Sequence, residues 1–547
     1  MSALRRAEPA LFAAAVAVTA GSLFIPRLLP SVDYPQHLAL ADVARRLLAP
    51  GAPEHALFEV KPFTYYGLVQ LVLGGLGAVM PMEIAGKVVL GGALVVTAWA
   101  ARRLLAVLGR PPVYAALFVP LLYGFSASWG FLNYVVGLAI AFAAVALVAS
   151  QIARLSRGRA AAIAALSLLC AMTHPLATMI LWAFAGPLAI EAAARRERRA
   201  WPAARRAVLA ALPAFTGAVW CAACVAVHVD PRDQAPALAD THAPVFWPKL
   251  ASFALYATDL HADKTDVPIV DAMLGVMGAI ALAAAATAIA RRARRTSAAT
   301  LRAAAPPPPL VTPFVVLFAA YLAMPMVFMG SQLMFPRLVP ALVLAALLAL
   351  PAIDVPWLSA AAAAACLTVA GWSALNLRAH FVEYAAETDD ASRLIDALPP
   401  GRRASAVVYD DFTDAFVRGG VLHLAAWYAA RKHGDWAYSF ARYPYMPVRY
   451  REDRAPDWPE HGWEFDPTAY DVRSPYARTY DLVLVKTLEY LDPIDDEPTV
   501  RARVFKADAA SPRLLAHFGL YWAFDTAGLA RTPARSEGSG LLSTRTR

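Results

Sequence analysis

Apolar residues in this chain fall in long runs broken by short arginine-bearing stretches. Runs of about 15–23 residues suit roughly 30 Å of hydrocarbon at 1.5 Å per residue. Those at Pro9–Leu29, Ile84–Ala101, Pro112–Phe125, Phe131–Ala149, Ala160–Thr173, Leu176–Ala194, Ala207–Val227, Val270–Ala290, Leu310–Phe328, Leu338–Ala352 and Val355–Leu377 predict about eleven transmembrane helices. A further run, Phe63 to Met80, is expected to lie along or dip into the interface, because a full crossing would put Arg102 and Arg103 on the wrong side. From Ala391 the period changes, and "ASAVVYD", "YDLVLVKT" and "LLAHFGLYWAFDT" read as strands. The pattern therefore predicts an α-helical polytopic membrane protein, residues 1–380, with outer loops at 30–83 and 228–269, followed by a C-terminal soluble α/β domain, residues 381–547.

Composition fits that picture: 59% of the 547 residues are hydrophobic and only 17% are charged. The net charge of +9 does not point to nucleic acid, because its arginines cluster between apolar runs. Arg102/Arg103/Arg110, Arg154/Arg157/Arg159, Arg195/Arg196/Arg198/Arg199 and Arg291/Arg292/Arg294/Arg295 all fall on one side if the amino terminus is cytoplasmic. That places the chain in a plasma (inner) membrane, with its tail exoplasmic. Pro306 to Pro309 read as a stiff cytoplasmic spacer. Cys170, Cys221, Cys224 and Cys366 lie inside apolar runs and read as packing residues. A phosphate-cradling glycine loop, a G-x-S-x-G elbow and an H-E-x-x-H metal motif are all absent from the sequence.

Candidate chemistry collects where apolar runs end. In "SVDYPQHLALADVARRL" the first run stops at Asp33, with His37 one turn on, and Pro35 suits the first turn of an amphipathic helix. Asp33 can be a base for an acceptor hydroxyl, with His37 to orient it, or it can be a plain helix cap. Arg337 in "MFPRLVP" can pair with a phosphate headgroup or snorkel to ordinary lipid. Asn133 in "YGFSASWGFLNY" can hydrogen-bond a sugar among interface aromatics, and His174 before Pro175 marks either a cleft residue or a helix break. Between His228 and Val267 stand His228, Asp230, Asp233, Asp240, His242, Asp259, His261, Asp263 and Asp266, a density that suits solvated loop charge, sugar hydroxyls or a divalent cation.

The order of these features resembles the GT-C superfamily of integral-membrane glycosyltransferases, which includes protein O-mannosyltransferases and lipid A aminoarabinose transferases. Asp33 matches the family's catalytic acid in the first outer loop. "FTYYGLVQLVLGGLGAVMPMEIAGKVVLGGALVVTAWAARRLLAVLGRPP" is similar to its juxtamembrane helix, opening on the paired aromatics Tyr65 and Tyr66, and the span after it. "FPRLVPALVLAALLAL" is similar to a late helix that opens on arginine. The resemblance implies transfer of a sugar from a polyprenyl-phosphate-linked donor to a glycan, lipid or protein acceptor on the exoplasmic face. Asp33 and His37 would be catalytic, and Arg337, His174, Asn133, Tyr65 and Tyr66 would bind substrate. Many members carry two adjacent acids in the first loop, whereas Tyr34 follows Asp33 here, so the resemblance implies no certain cofactor and leaves a divalent cation open. A transporter or flippase for a lipid-linked saccharide, and a non-catalytic envelope assembly protein, are the competing readings. Ionisable residues gathered at one surface, and not at the bilayer midplane, favour the enzyme.

Overall fold

The computed structural model describes residues 2–61, 63–197, 199–228, 246–293, 310–328, 331–452, 454–456, 459, 462–488, 496–506 and 512–528. The polyproline stretch, Arg198, Arg294, Arg295, Asp230, Asp233, Asp240 and His242 lie outside the described residues.

Six described helices are long and apolar enough to cross a membrane: Met82–Val107, Leu132–Ala153, Pro175–Arg196, Ala200–Val227, Asp266–Ala290 and Pro356–Glu387. Each covers an expected span. The other five expected spans differ in form. The first is a helix over Ser2–Ser22, and the run from Ala160 is a helix over Arg157–Ala171. Pro112–Leu121 is a 3-10 helix with Pro120 inside it, and the last two are Thr312–Ala323 and Val339–Ala349. Proline supplies part of the reason, since it lacks the N–H that continues an α-helix. The run from Phe63 to Met80, expected at the interface, holds a helix over Gly67–Gly77 of 11 residues, about 16 Å long, which is too short to cross.

Helix Tyr34–Arg46 joins these spans to the tail. Pro35 starts it, while Arg45 and Arg46 end it where cations suit the helix dipole. Its buried face includes Leu38, Ala39 and Leu40. The hydroxyl end of Tyr34 meets Gly86, where a Cβ would collide with the phenol and with Leu38.

In the tail, strands β2 (Ala404–Val408), β4 (Leu482–Lys486), β5 (Arg513–Phe518) and β6 (Tyr521–Asp525) form one sheet in the order β2-β4-β6-β5. β2 and β4 run parallel, and β6 pairs antiparallel with β4 and β5. All three strand-like sequence runs are strands, the last folding into the β5–β6 hairpin. One pairing had no counterpart in the sequence pattern: β1 (Phe58–Val60) of the first loop runs antiparallel to β3 (Val448–Tyr450) of the tail. Asp42 to His433 at 2.8 Å and Gln36 to Trp436 at 2.6 Å tie the same two regions. Helix Leu424–Lys432 contributes Leu424, Ala426 and Trp427 to the apolar core shared with the spans. A second core, including Val483, Trp463 and Phe524, covers the other face of the sheet.

Candidate active site

A cavity of about 280 Å³ opens where the helix ends meet the tail. Asp33, His37, Asn133, His174, Arg337 and Tyr66 all line it, although they are spread over some 300 positions of the chain. Tyr65 does not. Its hydroxyl turns away to the carbonyl of Cys221 at 3.4 Å.

Asp33 occupies the cap position of helix Tyr34–Arg46, yet its carboxylate makes no capping hydrogen bond. The backbone there is held without it: the Asp33 carbonyl accepts from Gln36 N–H at 3.1 Å, and Asp33 N–H donates to the Trp129 carbonyl at 3.0 Å. Gly130, at φ +81, makes this close approach feasible, because a Cβ would overlap the backbone nitrogens of Asp33 and Tyr34. The carboxylate is thus free to face the cavity, where it meets His423 Nε2 at 3.3 Å.

His423 comes from the tail, and its proton positions follow from its neighbours. The Gln36 carboxamide is fixed by three bonds, accepting from Trp436 Nε1 and Phe440 N–H and donating to the Tyr438 carbonyl. Its amide nitrogen therefore also points a proton at His423 Nδ1, 3.2 Å away. A neutral His423 accepts that bond and carries its own proton on Nε2. When protonated, it directs Nδ1–H to Glu464, 3.4 Å away. In both states Nε2–H donates to Asp33. Burial pushes the His423 pKa down, but the hydrogen bond to Asp33 and the charges of Glu464, Asp33 and Asp411 outweigh it, so the net direction is upward. Glu464 is itself raised, first by burial and then by the charge of Asp33, although His423 opposes both. His37 goes the other way. Burial, against the pull of Asp33, holds it down to about 4, so at neutral pH it is an uncharged ring with Nδ1 3.4 Å from the Asn133 amide nitrogen. Asn133 keeps its carbonyl oxygen buried and unpartnered.

The opposite end of the cavity is cationic. Arg337 is 8% exposed and lies over the Phe131 ring at 3.7 Å, donating to the Gln332 carbonyl at 2.9 Å. Among the described residues no carboxylate is within ion-pair distance of it, and its Nε has no partner. His174 caps helix Pro175–Arg196: its Nδ1 accepts from Leu176 N–H at 3.1 Å. A neutral ring that accepts at Nδ1 carries its proton at Nε2. That nitrogen faces Arg337 Nη1 at 3.4 Å. Two donors pointing at one another would both be satisfied by an anion placed between them.

Sequence reasoning missed His423, Glu464, and the stacked pair Tyr443 and Tyr445, 5.4 Å between centroids, that roofs the cavity. The aromatic crowding of "RYPYMPVRY" was the available signal for the pair. His423 had none, because it sits inside an ordinary amphipathic stretch.

No family model matches the chain, and no curated protein matches it. Among solved structures it is similar to the crystal structure of ArnT from Cupriavidus metallidurans bound to undecaprenyl phosphate, at 12% identity, with 94% of this chain and 97% of that chain covered and a TM-score of 0.48. At that degree of likeness neither family nor activity follows, and what the cavity does must be read from its own residues.

Proposed function

We propose that this protein is a membrane glycosyltransferase of the GT-C type, which moves a sugar from a polyprenyl-phosphate-linked donor to an acceptor hydroxyl at the exoplasmic face. The supporting observation is the polarity of one cavity: an uncapped carboxylate at one end and a carboxylate-free arginine with a histidine N–H at the other. The donor phosphate sits between Arg337 and His174 Nε2, satisfying the two donors that face each other there. Asp33 takes the proton of the acceptor hydroxyl, and the acceptor oxygen bonds to the anomeric carbon. As that bond forms, the bond from anomeric carbon to phosphate oxygen breaks, and the leaving phosphate keeps the electron pair against Arg337. His423 Nε2–H orients Asp33. The unpartnered Asn133 oxygen and the Tyr66, Tyr443 and Tyr445 rings offer a sugar a hydrogen-bond acceptor and apolar faces. At about 280 Å³ the cavity is near the lower end of small-molecule sites, which run from roughly 300 Å³ upward, so it suits a sugar phosphate while the lipid tail remains outside.

The test is transfer by the purified full chain from a lipid-linked sugar donor. Asp33→Asn keeps the size of the side chain but removes the proton acceptor, so turnover should fall about 10²–10⁴-fold with little change in carrier affinity. Parent-like turnover in Asp33→Asn would remove Asp33 from the chemistry. Movement of an intact lipid-linked saccharide across proteoliposomes, without bond cleavage, would replace the enzyme by a flippase.

A further inference from the structure

With the donor phosphate between Arg337 and His174, an acceptor hydroxyl must reach Asp33 from the other end of the cavity. That end opens on the tail. Phe465 lines the cavity yet is 78% exposed, and Tyr445 is an exposed lining residue as well. A ring left this open contributes little to folding, because burial is what stabilises an apolar side chain, and its surface is available to a ligand. At about 280 Å³ the cavity has little room beyond the donor's sugar phosphate, so only the end of an acceptor chain can enter.

The charge of this end is opposite to that of the anion-binding end. Asp33 and Glu464 approach different ring nitrogens of His423, Nε2 at 3.3 Å and Nδ1 at 3.4 Å, and both carboxylates remain partly exposed. Two carboxylates against one imidazole leave this end net negative once Glu464 is ionised. Among the described residues that line the cavity, Arg337 is the only lysine or arginine, and it stands at the far end. An acceptor with a phosphate or carboxylate next to its reacting hydroxyl would meet like charge here and no compensating cation.

Aromatic rings follow the same path. His423, Phe440, Tyr443, Tyr445, Tyr66 and His174 succeed one another with ring centroids 6.0, 5.5, 5.4, 5.5 and 5.4 Å apart, an unbroken row from the histidine at Asp33 to the histidine at Arg337. Tyr443 stands beside the acids: burial first, then the charges of Glu464 and Asp33, raise the pKa of its hydroxyl, which stays protonated as a donor. Carboxylates that accept hydroxyl protons, a phenol that donates or accepts, and ring surfaces for C–H groups make a lining suited to a sugar. A fatty chain would leave both carboxylates without partners.

We propose that, on the transfer reaction assigned above, the acceptor is the terminal sugar of a neutral glycan. Asp33 takes the proton of one hydroxyl, Glu464 accepts a hydrogen bond from another, and the glycan leaves the cavity across the Phe465 ring. Glu464 and Phe465 are thus the residues that select the acceptor.

The experiment measures binding without donor, by saturation-transfer NMR on the purified full chain in detergent, so that it does not depend on turnover. The probes are tetrasaccharides of glucose, mannose and galactose, with tetragalacturonate as the acidic counterpart. At least one neutral probe should bind, with saturation reaching its C–H protons, and tetragalacturonate should bind more weakly by about tenfold or more. Phe465→Ala, which loses little burial, should weaken the neutral probe about 2–10-fold, as for loss of one aromatic contact. Glu464→Gln keeps the shape and removes the charge, so the preference for neutral over acidic probe should fall by about tenfold. Failure of every neutral probe to bind, equal or tighter binding of tetragalacturonate, or a Phe465→Ala variant that binds like the parent overturns the proposal. The glycosyltransferase reading is decided separately, by cleavage of the lipid-linked donor. Neutral-glycan binding without cleavage would leave a carbohydrate site that lacks this reaction, whereas transfer to an anionic lipid or a peptide would keep the reaction and refute the neutral-glycan acceptor.

Discussion

The two walls of the cavity are built by different means. On the membrane side, Asp33, His174 and Arg337 each stand within two positions of a proline that starts a helix: Pro35, Pro175 and Pro336. Their positions are set by spans that cannot move without exposing apolar surface elsewhere. On the tail side, His423, Tyr443, Tyr445 and Glu464 stand at the edge of a short helix or in turns. The first-loop strand β1 and the Gln36 carboxamide bring them over the site. In the proposed reaction the membrane wall carries the groups that meet reacting atoms, and the tail wall tunes them. The tail is accordingly expected to be the more permissive of the two.

The largest effect that sharpens this contrast, after loss of Asp33 itself, belongs to Arg337. Arg337→Ala should weaken carrier-lipid binding by about 1.5–3 kcal/mol, the value of a charge-assisted hydrogen bond, or roughly 10–150-fold. Binding can be measured on the purified variant without turnover. An unchanged affinity would mean that the anion seat is elsewhere and that His174 and Arg337 face each other for structural reasons.

His423→Gln should cost less, about tenfold in turnover, as expected of a residue proposed to orient Asp33 and not to take its proton. It should also change the pH dependence of stability. The His423 pKa is raised in the folded protein, so its contribution is fully present below the unfolded value of about 6.5 and is lost as pH rises through the folded value. His37, held down to about 4, acts in the opposite sense: the unfolded chain binds the extra proton between about 4 and 6.5, so stability falls as pH drops through that window. Tm measured against pH should therefore flatten on the alkaline side in His423→Gln and keep its acid limb. Flattening on the acid side alone would exchange the roles assigned to the two histidines.

How much of this could be read in advance follows the same division. A polar residue beside proline at the end of an apolar run is visible in one dimension, because membrane thickness fixes where the chain must turn. Asp33, His174 and Arg337 all show that mark, and Asn133 stands near the start of its own span. The six long spans and the strands of the tail sheet were legible for similar reasons of period and length. The β1–β3 pairing was not, since three-residue strands nearly 400 positions apart leave no local pattern. Without that pairing nothing in the sequence brings His423 to Asp33, and the tail reads as a separate domain. The expected span Leu310–Phe328 is longer than the helix Thr312–Ala323 within it, because hydropathy counts the residues of a run and not the proline, Pro325, that follows the helix end.

The smallest predicted effect tests the membrane wall within a single dipeptide. Tyr65 and Tyr66 are equivalent to a reader of the sequence, and both were expected to bind substrate. In the structure Tyr66 lines the cavity and meets the His174 ring edge-on at 5.4 Å, whereas the Tyr65 hydroxyl reaches only a carbonyl at 3.4 Å, a long and weak bond. Tyr65→Phe should therefore leave both carrier binding and turnover within about 0.5 kcal/mol of the parent, as for a substitution away from the site. Tyr66→Ala removes a ring that packs on the imidazole of the anion seat, an aromatic pair worth about 0.5–1.5 kcal/mol beyond buried area, and should weaken the carrier by at least that much. The ratio of the two effects is the informative quantity. Were Tyr65→Phe to weaken binding as much as Tyr66→Ala, the short helix that follows them would have to be turned about its axis, and the anion seat assigned to His174 and Arg337 would turn with it.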